Sequence, residues 1–364
     1  MAFDLDSFLR KAHKAGASDI HLGCNKVPSL RINGEIYKIN TEIVTHDDII
    51  DIVKQSFPKE YNKDPMSMQD IDYMYEIKGL CRYRVNFCRD IDFGKLTFRM
   101  IPYNIKTLEE LKLPQYLKTF TETNNGIVLV TGATGSGKST TLASLIEIIN
   151  KEGKKHIITI EDPVEFVYEE KKSIVTQRSL DIDVPDFKTG IKYALRQDPD
   201  VILVGEIRDK ETLLSAIEAS ETGHLVFSTL HTNGTAASIS RLKGFIEETG
   251  QDQFMRRLSQ CVRGIIHQQL VPTTDNGKLT PVNEILTFTS TVIDYVKEGK
   301  LNEIYPLMKR TNSPGLVSMN EALYDLYNRE IITKETALEF SLEKVELEQM
   351  IKGMHGTITG ESLL

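Results

Sequence analysis

The sequence predicts an α/β protein in two parts: a small α+β domain, then a larger domain with a mainly parallel sheet and a helical C-terminal portion. Three observations carry this expectation. Short strand-like runs with few helices fill the first hundred residues. Buried-looking apolar runs alternate with helical patterns after that, as in a parallel sheet covered on both faces. Between the two patterns a glycine-rich loop joins an apolar strand, Gly126-Ile-Val-Leu-Val-Thr131, to a helix beginning near Thr141. At 364 residues the chain exceeds one ordinary domain.

The first part opens with an amphipathic helix from Leu5 to Ala15. Strand-like runs follow at Asp19–Leu22, Ser29–Asn33 and Glu35–Ile39, with Asn33-Gly34 as a hairpin signal between the last two. A helix over Asp47–Ser56 precedes strands at Cys81–Phe87 and Gly94–Met100. Residues 1–102 form this domain; 103–112 is the linker, and Leu108–Phe120 reads as a helical lead-in to the next strand. The second domain spans 113–364, with its helical portion from about 285. Its strand signals are Gly126–Thr131, His156–Ile160, Val201–Val204 and the run His224–His231. A helix from Phe187 to Gln197 is stopped by Asp198-Pro199.

The loop itself reads Gly132-Ala133-Thr134-Gly135-Ser136-Gly137-Lys138-Ser139-Thr140 and meets the phosphate-binding template G-x-x-x-x-G-K-[ST]. Its glycines permit positive φ, so successive N–H groups can turn toward phosphate oxygens at a helix N-terminus. Lys138 supplies a charge for the β- and γ-phosphates, and Ser139 a hydroxyl for Mg²⁺. A nucleoside triphosphate and Mg²⁺ are therefore the expected ligands.

Ligands of open parallel sheets bind at the carboxyl ends of the strands. Acidic and histidine residues next to these runs are thus expected to converge on the γ-phosphate. Four aliphatics ending at Gly205-Glu206 form a Walker B pattern, and Glu206 is the expected Mg²⁺ carboxylate, directly or through water. Glu161 and Glu165 form a second acidic group. Glu165 is the better candidate for polarising the attacking water, because Glu161 sits at a strand end where packing dictates orientation. His224 and His231 bracket the third run, where a structural donor is the ordinary role.

Composition narrows the classes. A net charge of −8 gives no global attraction to nucleic acid. No apolar stretch reaches the length of a membrane span, and the N-terminus lacks a basic-then-apolar leader, so cytoplasmic residence without membrane insertion is expected. Cys24, Cys81, Cys88 and Cys261 fall in no C-x-x-C pair and read as free thiols.

The loop, Ile160-Glu-Asp-Pro-Val-Glu-Phe166, Ile202-Leu-Val-Gly-Glu-Ile-Arg-Asp209 and Thr222-Gly-His-Leu-Val-Phe-Ser-Thr-Leu-His-Thr232 together resemble the Walker A, Asp, Walker B and His boxes of the secretion ATPases of type II secretion and type IV pili. Within that superfamily the chain is most similar to the pilus retraction ATPase (PilT) family, including Gly16–Leu22, Pro28–Gly34, Arg82–Asn86 and Phe98–Pro102. The resemblance implies a PAS-like N-terminal domain, a RecA-like ATPase domain, and a homo-hexamer holding ATP between them. It further implies a motor retracting pili, engaged with an inner-membrane platform protein and the pilus machinery at the inner face of the cell membrane. By position, Arg82, Arg84 and Arg99 would reach the phosphates, and His224 and His231 become γ-phosphate or intersubunit contacts. A basic strand would otherwise be read as a solvated face. One segment departs: Thr291–Glu298 carries Ile293 and Lys297 where the retraction motif has arginines, which alters whatever surface that motif engages. An assembly-type motor and a non-hydrolysing nucleotide-gated adaptor are the alternatives.

Overall fold

The computed structural model describes residues 3–32, 34–40, 42–58, 67, 69–101, 103–275 and 278–353. Asn33 of the expected hairpin turn and Pro102, the last residue of the expected first domain, lie outside them. The chain forms two compact units, residues 1–105 with 160–169 and 177–190, and residues 106–159 with 170–176 and 191–364.

The first unit contains helices α1 (Leu5–Lys14) and α2 (His46–Ser56). Its strands are β1 (Asp19–Gly23), β2 (Ser29–Ile32), β3 (Glu35–Lys38), β4 (Asp70–Ile77), β5 (Cys81–Cys88) and β6 (Lys95–Ile101). They form one antiparallel sheet in the order β3-β2-β1-β6-β5-β4. This is the α+β layout expected of a PAS-like domain. Thr45 and Asp48 close a reciprocal capping box at the start of α2, satisfying donors that the first helical turn leaves open. Alternation along β5 buries Cys81, Tyr83, Val85 and Phe87 and sends Arg82 and Arg84 to the other face. Leu5, Leu9, Ile49 and Ile52 of the helices share the core with Tyr73, Tyr83, Phe87 and Phe98 of the sheet. Strand β4 was not anticipated, although Ile71, Tyr73, Tyr75 and Ile77 repeat with period two.

The larger sheet has the order β14-β13-β12-β7-β11-β10-β8-β9. Its strands are β7 (Gly126–Thr131), β8 (His156–Glu161), β9 (Ile174–Ser179), β10 (Val201–Val204), β11 (Leu225–Leu230), β12 (Val262–Pro272), β13 (Leu279–Thr287) and β14 (Leu316–Val317). Every residue of β7, β10 and β11 is buried, the pattern of strands covered on both faces. Strand β7 is parallel to β11 on one side and to β12 on the other, and β10 is parallel to β11. Strands β12, β13 and β14 pair antiparallel. Around the sheet lie α3 (Lys138–Glu152), α4 (Phe187–Ala194), α5 (Lys210–Glu221), α6 (Thr235–Lys243), α7 (Gln251–Cys261), α8 (Ser290–Lys297) and α9 (Ile304–Arg310). The last helices, α10 (Met319–Asn328), α11 (Lys334–Phe340) and α12 (Lys344–Ile351), pack Met319, Leu323, Ala337 and Leu347 into their own cluster with Val271 and Val282.

The C-terminal helices start with α8 at Ser290, just after β13 ends at Thr287, and the two-residue strand β14 lies among them. Two expectations need correction. The lead-in over Leu108–Phe120 is a run of turns ending in a 3-10 helix, Gln115–Thr121. Helix α4 ends at Ala194, three residues early, and Asp198 takes a positive φ of 54°. The four cysteines are free thiols.

Gly264 on β12 faces the ring of Phe120: an added Cβ would lie 2.3 Å from Cε1. Gly264→Ala should lower stability by about 1–3 kcal/mol through overpacking. Urea denaturation followed by circular dichroism checks this; an unchanged midpoint contradicts the packing described.

Candidate nucleotide site

The register of β7 decides where the loop stands. Leu225 pairs with Gly126 and Leu230 with Thr131, so the loop after Thr131 emerges at the carboxyl end of the parallel strands. Gly132 N–H donates to Leu230 O, and Ser136 N–H donates to Ala133 O within the loop. Gly137, at φ 87°, is the N-cap of α3, and no side chain caps that helix start. Its first N–H groups are thereby left for an anion.

Lys138 is 8% exposed, and its Nζ donates to Gly132 O and Ala133 O, each at 2.9 Å. The ammonium thus bridges the loop's two ends. Thr134, Gly135 and Ser139 are exposed, Thr140 half-buried, and Ser136 buried. A cleft of about 410 Å³ adjoins the apex, lined by Ala133, Thr134, Gly135, Ser136, Leu270 and Leu279 among others. That volume falls within the range of small-ligand sites.

Glu206 follows β10 at the same carboxyl edge. Thr229 Oγ1 donates to Gly205 O at 2.7 Å and Ile207 N–H to Thr229 O at 3.1 Å, which fixes the turn carrying Glu206 to the end of β11. Asp209 then caps α5 by accepting from Thr212 N–H at 2.7 Å. The Glu206 carboxylate pairs with Arg208 through Oε1, while His231 Nε2 lies 3.4 Å from Oε2. Oε2 is buried and accepts no hydrogen bond among the described residues. A buried, under-used carboxylate oxygen beside a phosphate loop fits a hard cation, and exposed Ser139 offers a further oxygen.

His231 and Glu206 therefore converge with the loop, whereas His224 does not. His224 precedes β11, and its carbonyl accepts from Gly126 N–H at the amino end of β7, the opposite edge of the sheet. Its Nδ1 lies 2.9 Å from Ala219 O and 3.2 Å from Thr222 Oγ1, as a cap on the end of α5. The strand between the two histidines spans about 20 Å at the usual rise. His224 is thus corrected from a γ-phosphate group of its own chain to a structural donor.

The acidic box folds with the first unit. Arg84 Nη1 lies 3.5 Å from Glu165 Oε1, and its Nη2 lies 3.4 Å from Asp72. Arg82 Nη1 donates to the carbonyls of Val164 and Glu165 at 3.4 and 3.3 Å. Burial pulls the Arg82 guanidinium below its ordinary value, opposed by the charges of Glu76 and Glu161. Its Nε is buried with no hydrogen-bond partner among the described residues. Glu161 ends β8, and its carbonyl accepts from Leu180 N–H. Arg99 stands directly across from Arg84 in the β5–β6 register and donates to Asp19 Oδ1 at 2.9 Å. Opposed like charges repel, and Asp19, Asp72 and Glu165 offset that repulsion. Arg82, Arg84 and Glu165 thus form one cluster; Lys138 with the loop carbonyls, and Glu206 with Arg208 and His231, form the others.

Sequence reading missed the second layer under the loop. Gln268 of β12 is 2% exposed and donates through Nε2 to Ser136 O at 2.7 Å. Next to it, His267 is fully buried, 3.3 Å from Thr131 Oγ1 and opposite Glu284 in the β12–β13 register. Burial holds the His267 imidazole below its ordinary pKa, with Glu284 opposing. Glu284 Oε1 accepts from Thr235 N–H and Oγ1 at 2.6 and 2.7 Å, fixing the start of α6. A glutamine and a histidine inside a strand carry no local signal of such contacts.

The type II/IV secretion system protein family matches residues 93–300. The type IV pilus ATPase PilU of Pseudomonas aeruginosa is 35% identical over 96% of this chain and 91% of its own length. The type IV pilus retraction ATPase PilT of the same organism is 35% identical over 92% and 97%. A crystal structure of the pilus retraction motor PilT with bound ADP superposes with a TM-score of 0.88 at 37% identity, covering 96% of this chain and all of that one. The fold, the phosphate loop and these likenesses agree: the chain belongs to the type II/IV secretion system protein family, as one of its nucleotide-binding ATPases.

Proposed function

We propose that this protein is a type IV pilus motor ATPase that hydrolyses ATP to power pilus retraction, working as a homo-hexamer in the cytoplasm against an inner-membrane platform protein. The observation that carries the reading is the convergence of Lys138, Glu206 and His231 with the phosphate loop at one sheet edge, in a chain similar to PilT along nearly its whole length. No helix among the described residues is long and apolar enough to cross a membrane.

In the proposed mechanism the loop N–H groups and Lys138 bind the β- and γ-phosphates. Glu206 and Ser139 would hold Mg²⁺, which when bound neutralises charge on the phosphate oxygens. His231 orients the Glu206 carboxylate and senses the γ-phosphate. Glu165, released from Arg84, polarises the attacking water, with Glu161 as the alternative base. Arg82, Arg84 and Arg99 supply cationic groups to charge developing in the transition state, in this or a neighbouring subunit, and His224 serves between subunits. A second reading, a pilus motor of the assembly type, is favoured by one feature: Ile293 and Lys297 on α8 replace the arginines of the retraction motif. Deletion separates the two, since loss of retraction leaves surplus pili and loss of assembly leaves none.

Lys138→Ala should abolish phosphate release with the circular dichroism spectrum unchanged; wild-type turnover would sink the loop assignment. Glu206→Gln should still bind ATP but hydrolyse it at least ~100-fold more slowly, because only the metal-positioning carboxylate is lost. Single-turnover phosphate release beside calorimetric ATP binding distinguishes that from a binding defect.

Specific activity of the full chain should rise with protein concentration as oligomers form. Arg84→Ala should lower kcat well beyond its effect on ATP affinity, since a transition-state cation acts on rate. Sedimentation run with activity assays checks both; a fully active monomer contradicts the motor reading.

A further inference from the structure

Beneath the phosphate loop, β12 brings one uncharged polar side chain against backbone that a ligand would use. Gln268 Nε2 donates to Ser136 O at 2.7 Å, while Oε1 accepts from Thr141 Oγ1 at 2.7 Å and from Asn283 Nδ2 at 3.1 Å. One side chain thus ties the loop apex, the first turn of α3 and strand β13 together. Close packing leaves the loop little choice of position. A Cβ on Gly132 would lie 2.3 Å from the Gln268 carbonyl oxygen, and one on Gly137 would lie 2.8 Å from Gln268 Nε2.

We infer that Gln268 is a positioning residue for nucleotide binding, acting through the Ser136–Gly137 peptide. In a planar trans peptide the C=O and the following N–H point in opposite directions. Holding Ser136 O against Gln268 therefore turns the Gly137 N–H away from β12, as one of the loop's anion donors. Without that bond the peptide is free to rotate, and the buried carbonyl loses its partner. The Oε1 contacts fix the amide's orientation, because Thr141 and Asn283 both present donors to the oxygen and leave the NH₂ group for Ser136. A network satisfied at each of these atoms specifies one arrangement of the loop before nucleotide arrives, which lowers the cost of ordering it on binding. The inference rests on ATP binding at this loop and on nothing about pili.

The test uses the full-length protein. Gln268→Met keeps length and volume and removes both the Nε2 donor and the Oε1 acceptor that orients it. It should raise the KM for ATP and the calorimetric Kd for ADP about tenfold or more, with kcat within about threefold. Asn150→Ala serves as the control: Asn150 is fully buried at the far end of α3, where its Oδ1 accepts from Lys171 N–H. It should lower the thermal midpoint while leaving KM and Kd unchanged. Unchanged ATP KM and ADP Kd in Gln268→Met, or a loss confined to kcat, overturns the inference, as does an equal rise in KM in Asn150→Ala. Should Gln268→Met fail to fold, Gln268→Glu retains the acceptor for Thr141 and Asn283 and lacks the donor; wild-type ADP affinity in that variant overturns it. Wild-type protein that binds no ADP in the same assay would refute the nucleotide site itself, a result distinct from these.

Discussion

Everything in the nucleotide site hangs on β7 being held between two parallel neighbours. Its pairing with β11 sets the height at which Thr131 ends, and its pairing with β12 brings Gln268 under the loop that follows. A one-residue slip of a strand covered on both faces would swap its side chains between two differently packed layers, and close-packed layers do not accommodate that. The register therefore fixes the position of Gly132, and from it that of Lys138. The same register carries Leu230 and His231 to the loop and leaves His224 at the other edge.

Two kinds of electrostatic contact hold the chemical groups ready. Lys138 is closed onto the Gly132 and Ala133 carbonyls, neutral oxygens that a phosphate outcompetes for a cation. Glu206 rests between Arg208 and His231, and the largely exposed Arg208 makes that pair weak enough to rearrange. In the first unit, Arg84 lies within ion-pair distance of Glu165. The groups expected to take part in hydrolysis are thus each engaged with a partner that binding can displace.

Much of this was legible in the sequence because it is local. The loop declares itself in nine consecutive residues, and the alternation of β5 declares that Arg82 and Arg84 share a face. Glu206 was readable because four aliphatics precede it. His224 was misplaced because a run of apolar residues says nothing of which end meets the loop; only chain direction within the sheet does. Gln268 was invisible because its partners Ser136 and Thr141 lie 132 and 127 residues away in sequence. Strand β4 carries a legible period-two pattern, while the β12–β13 pairing buries His267 and Glu284, residue types that sequence patterns assign to the surface.

On this structure the loop after β7, seated on β12, is the part of the molecule placed to receive the phosphates of a nucleotide. Amide hydrogen exchange of the full-length protein with and without ADP and Mg²⁺ measures this most directly. Slowed exchange should concentrate in residues 132–141 and in the stretch of β12 around Gln268, with the amino end of β11 near His224 unchanged. Protection absent from 132–141, or centred near His224, would contradict it.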